Sequence, residues 1–231
     1  MTEQETGKFV ELWPATMYSD RIPNHESVNA ELIKLFRGYQ ASQGQGDSGS
    51  FVSPDNFAND TNNVALDTLK QFIMDGVYQI SLKLNQEYWV QHKLQSLDVN
   101  ITGLWFQISN NFSFHETHVH GNCSWSGVYY VQSGNASHSR EDIMDNGMLN
   151  GVTRFYGPDM DYSAGGHGDW GNYYLHHSTH TSYPEDGTLL VFPSHIKHTA
   201  FPYSGEQDRI VVSFHAQVVS DTVVQYDYSY D

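Results

Sequence analysis

The stretch HETHVHGNCSWSGVYYVQ, His115–Gln132, decides the fold. Its second half, Trp125–Gln132, is short, β-branched and aromatic, the texture of a buried strand. Its first half sets His118 and His120 two residues apart, and alternate residues of a strand share a face. The two imidazoles should therefore point the same way from one rigid strand, with Glu116 beside them. A third ligand from elsewhere would complete a metal site that keeps positions open for substrate and O2.

Downstream, LVFPSHIKH (190–198) runs an apolar strand into a Pro-Ser turn and on to His198. Arg209 then opens the strand Ile210–Phe214. An arginine entering a hydrophobic strand needs an anion to justify its burial, and a carboxylate held by its fork of N–H donors is the natural partner. With 13 histidines in the chain, position has to decide between candidates. His176, His177 and His180 form another cluster, whose flanks NYYLHHSTHTSY read as strand or loop and point to a surface run.

Upstream the texture is different. Phe9–Tyr18 suits a short opening strand. Val28, Leu32, Leu35 and Phe36 hold helical spacing over about 24–38, with Asn24 as N-cap. Leu66, Leu69, Phe72, Ile73, Val77, Ile80 and Leu84 do so over about 63–88, with Gly76 as a break. Gly38–Asp60 and Gly157–Gly187 read as loops, either of which could cover a site. The β texture covers about 98–219. The expected architecture is one domain, 1–231, mainly β with N-terminal helices: a double-stranded β-helix, the jelly-roll or cupin-like barrel.

The formal charge of −16 repels phosphate backbones and anionic membranes, which disfavours nucleic acid as a partner. Cys123 is the single cysteine, which suits a reducing, cytoplasmic setting, and no apolar run or leader pattern is apparent. A small-molecule or peptidyl substrate is expected; a homodimer is compatible with the sequence.

The order HVHGNCSWSGVYYV, GTLLVFPSHIKHTAFP, DRIVVSFHAQV resembles the Fe(II)/2-oxoglutarate-dependent dioxygenase superfamily. Within it the chain is similar to a group with H-x-H, FPS…H and R-I-x-x-S-F motifs, related to prolyl hydroxylases. The resemblance implies Fe(II), 2-oxoglutarate and O2 as cofactor and co-substrates of a hydroxylase. It implies His118 as the first iron ligand and His198 as the distal one. It also implies that Arg209 binds the far carboxylate of 2-oxoglutarate, helped by Tyr130 and by Ser213, four residues after the arginine. The superfamily usually carries a carboxylate where this chain has His120. The ligand set is then His118, His120 and His198, with Glu116 in reserve. Two other classes stay open: a three-histidine cupin-type dioxygenase that does not use 2-oxoglutarate, and a non-catalytic metal-binding barrel.

Overall fold

Two helices run before the β core because their apolar residues recur at helical spacing and find one sheet face to cover. The computed structural model describes residues 15–44, 50–59, 61–94, 96–157 and 179–222. The chain forms β1 (Tyr18–Arg21), α1 (His25–Ser42), β2 (Phe51–Val52) and α2 (Val64–Gln91). Then come β3 (Asp98–Ser109), β4 (Ser113–His118), β5 (Trp125–Gln132), α3 (Arg140–Asn146) and β6 (Thr153–Tyr156). β7 (Thr179–Ser182), β8 (Thr188–Pro193), β9 (His198–Tyr203) and β10 (Arg209–Val219) complete it.

The strands form two antiparallel sheets, ordered β1-β8-β5-β10-β3-β2 and β4-β9-β6-β7. The six-stranded sheet has two apolar faces. Phe106, Ile108, Tyr129, Val131, Leu189, Val191, Ile210 and Val212 face the helices and share one core with Leu32, Phe36, Leu66, Leu69, Ile73 and Val77. Each such residue, fully buried, contributes about 1.5–3 kcal/mol. Phe36 stacks on Phe106 with centroids 4.3 Å apart, tying α1 to β3. The alternate residues Val128, Tyr130, Leu190 and Val211 face the barrel interior.

Several local expectations need correction. α2 runs through Gly76 without a break. The glycine serves close packing instead, since a Cβ there would lie 2.8 Å from Leu189 Cδ2 and 3.3 Å from Tyr18 Cε1. Leu84 belongs to the apolar repeat by spacing yet is exposed. Asn24 stands at the N-cap position in a left-handed conformation, and its side chain makes no capping bond. Asn63 does cap α2, accepting from the Leu66 N–H. α3 is an addition to the expected elements, built on a capping box between Ser139 and Asp142. Of the expected opening strand Phe9–Tyr18, residues 9–14 lie outside the described residues, 15–17 are not in a strand, and β1 begins only at Tyr18; most of Gly157–Gly187 also lies outside the described residues.

Candidate metal and carboxylate site

β4 and β9 pair directly at His118 and His198. The strand that carries the H-x-H motif is not regular, which corrects the expected alternation. β4 ends at His118, and its pairing with β9 shifts on both sides of His115. The irregularity turns His115 and His118 to the cavity, while the side chain of Glu116 is exposed. His120 lies just past the strand, anchored by its own N–H to the Ser194 carbonyl at 2.9 Å. Ser194, of the Pro-Ser turn, returns its N–H to the Ser124 carbonyl, and its hydroxyl meets that of Ser126 at 2.8 Å. The two motif loops are thus cross-bonded.

The three imidazoles converge. Ring centroids are 4.3 Å apart for His118–His198, 4.9 Å for His118–His120 and 5.1 Å for His120–His198. One ring nitrogen from each lies within 4.8 Å of the others, close enough for a single ion to bridge. His118 Nδ1 meets the Glu116 carbonyl at 2.6 Å, and His198 Nδ1 meets the Ile196 carbonyl at 2.9 Å. A carbonyl can only accept, so both rings carry a proton on Nδ1, and Nε2 is the atom turned to a metal. Such orientation by outer partners is what a ligating histidine needs. Burial, and after it the neighbouring histidines, pushes His120 down to about 3. Burial pushes His198 down to about 4, against the raising effect of the Ile196 carbonyl. Neutral imidazoles are the form that binds a metal. The donor set therefore fits a divalent cation, and three ligands leave room on it for others. Among the described residues, Glu116 is not part of this cluster. His180 sits exposed on β7, away from it, and His176 and His177 lie outside the described residues.

The same cavity, of about 130 Å³, reaches Arg209. Arg209, Val211 and Ser213 alternate along β10 and all line it. Arg209 is only 4% exposed, and its Nε is buried without a partner. Its guanidinium lies 5.6 Å from the centroid of the Tyr130 ring. Tyr130 is fully buried, with its hydroxyl 3.2 Å from Thr153 Oγ1. Among the described residues no carboxylate pairs with Arg209. A buried charge without a counter-charge costs several kcal/mol, and an anion entering the cavity would offset it. Five of the six residues singled out in the sequence, His118, His120, His198, Arg209 and Ser213, line this one cavity, and Tyr130 is buried against the arginine. Thr153, Gln107 and His115 also line it and were not singled out for a role; each is an ordinary polar residue in a strand, with no spacing that marks it.

Comparisons with known proteins agree with this geometry. Residues 103–215, which hold both the histidine cluster and Arg209, match the family described as "Putative 2OG-Fe(II) oxygenase". No curated protein sequence matches the chain. Among solved structures, a prolyl-4-hydroxylase from Pseudomonas putida is similar at 16% identity and a TM-score of 0.50, covering 86% of this chain and 91% of that one. A Trichoplax adhaerens prolyl hydroxylase, solved with a hypoxia inducible factor peptide fragment, is similar at 11% identity and 0.52, covering 87% and 82%. HygX from Streptomyces hygroscopicus, solved with nickel and 2-oxoglutarate, is similar at 9% and 0.50, covering 87% and 82%. These likenesses establish the double-stranded β-helix fold. No described helix is long and apolar enough to cross a membrane.

Proposed function

We propose, from the premise that residues 103–215 form a 2OG-Fe(II) oxygenase core, that His118, His120 and His198 hold the iron and that Arg209, Tyr130 and Ser213 hold 2-oxoglutarate. The observation that carries the assignment is one cavity with three convergent imidazoles at one end and a buried, carboxylate-free arginine at the other. When bound, iron with 2-oxoglutarate and O2 supplies oxidative decarboxylation to succinate and CO2, with one oxygen atom delivered to a C–H bond of the substrate.

The chain's own residues do the positioning. The Glu116 and Ile196 carbonyls fix which nitrogen of His118 and His198 faces inward. The guanidinium of Arg209 takes the far carboxylate of the keto acid, and the Tyr130 and Ser213 hydroxyls add donors beside it. With three imidazoles and no carboxylate ligand, the whole ionic charge of Fe(II) is left for the dianionic co-substrate. The apolar walls Val128, Phe192, Val211 and Phe214 keep water from competing. The substrate is a neutral or basic group, small or peptidyl, since a chain of formal charge −16 repels polyanions.

The deciding experiment is succinate release from 2-oxoglutarate with Fe(II) and O2. Wild-type protein should turn over slowly without substrate, and His198→Ala should not. Turnover that survives in His198→Ala removes the ligand assignment.

A further inference from the structure

Two of the three convergent histidines have an acceptor for their outward N–H, and the third has none among the described residues. His118 and His198 each use a backbone carbonyl two residues upstream. A ligating imidazole nearly always donates its free N–H to such a partner, which fixes the ring and raises its basicity. For His120 the neighbouring polar group is another imidazole. His215, on β10, lies with its ring centroid 4.6 Å from that of His120, at an interplanar angle of 62°. On its other side it packs edge-on to Trp105 at 4.8 Å. Its Nε2 is buried and has no hydrogen-bond partner.

The surroundings of the other nitrogen of His215 determine what Nε2 can do. Gly103 lies between that nitrogen and Asp55: a Cβ on it would touch both, 3.7 Å from His215 Nδ1 and 3.8 Å from Asp55 Cβ. Asp55 is thus the acidic group on the Nδ1 side of the ring. A carboxylate on that side favours the proton on Nδ1. Nε2 is then an acceptor, which is what the outward N–H of His120 requires. No hydrogen bond joins the two rings as they stand, but histidine χ2 is broad and a ring turn costs little.

The geometry points to His215 as the positioning residue of His120: Nε2 accepts the outward N–H of that ring, and Asp55 keeps the His215 proton on Nδ1. The superfamily's usual carboxylate ligand is replaced here by an imidazole, and a carboxylate appears two groups further out. This inference rests on the assignment of His120 as a ligand.

The test reads metal binding rather than turnover. Co(II) titrations followed by the visible d–d bands give both affinity and ligand geometry. His215→Phe keeps the ring contacts with Trp105 and removes the acceptor, so Co(II) affinity should fall about 10- to 100-fold, with a changed band pattern. His215→Gln restores an acceptor oxygen and should return to within a few-fold of wild type. Wild-type affinity and bands in His215→Phe, or equal losses in both variants, overturn the proposal. Nitrogen-15 spectra of the histidine rings in Zn(II)-loaded wild-type protein decide the matter even if a variant does not fold. Nδ1–H with a bare Nε2 is expected for His215, and the opposite tautomer overturns the proposal. His198→Ala separates the two readings: if it too binds Co(II) normally, the ligand assignment itself fails, whereas loss there with no effect at His215 removes only the present inference.

Discussion

Asp208 and Arg209 are neighbours in sequence and send their charges to opposite sides of β10. The Asp208 carboxylate takes the Arg37 guanidinium from α1 at 2.5 Å, while Arg209 turns inward to the cavity. Arg37 thus holds the one acid adjacent to Arg209, and leaves the buried guanidinium for a ligand. Arg209→Ala should weaken 2-oxoglutarate binding about 100-fold, equivalent to about 2.8 kcal/mol, with Co(II) affinity nearly unchanged. Calorimetry with the Co(II)-loaded protein measures both, and undiminished keto-acid binding would remove Arg209 from the site.

Tyr130→Phe tests the smaller donor. The ring stays under Arg209 and only the hydroxyl goes. The KM for 2-oxoglutarate should rise about 10-fold, in line with the loss of one hydrogen bond to a charged group. A KM that does not change limits Tyr130 to packing.

Acidification of the metal-free protein gives a third expectation. In the unfolded chain His120 and His198 return to about 6.5, whereas the folded protein holds them at about 3 and about 4. Between these values the unfolded state binds more protons, so their contribution is full above about pH 6.5 and is lost as pH falls toward 4. Thermal melts from about pH 7.5 down to about pH 5 should show a falling Tm. His198→Gln should flatten that slope. An identical slope in the variant would contradict the shift.

Gly127 offers a test of packing. A Cβ there would overlap the Leu190 backbone carbonyl oxygen and the Phe214 ring, and a backbone atom in a sheet cannot step aside. Gly127→Ala should cost about 1–3 kcal/mol, as overpacked cores do, and chemical denaturation would read it. Stability equal to wild type would mean that the β5–β8 spacing is softer than the structure implies.

Much of this site could be read from residue order. His118, His120, His198 and Arg209 fall near the ends of short strands, and position together with the family resemblance singles them out. The outward turn of Glu116 could not be read, because strand alternation assumes a regular ladder and β4 shifts register twice. His215 was equally hidden: within RIVVSFHAQVV it is one polar residue in a strand, and only its contacts with His120 and Trp105 distinguish it. Gly76 misled for a related reason. A glycine in a helix reads as weakness, and close approach to a sheet is a tertiary fact.

The irregular β4 has a mechanical consequence. It is the edge strand of the smaller sheet, joined to β9 by interrupted pairing, and His118 lies directly opposite His198 on that partner. An ion shared by those two rings is a cross-strand rivet at an interrupted seam of the barrel. Chelation should therefore unzip the molecule from one margin: amide exchange should quicken first across 113–118 and 198–203, while the helix-backed sheet keeps its protection.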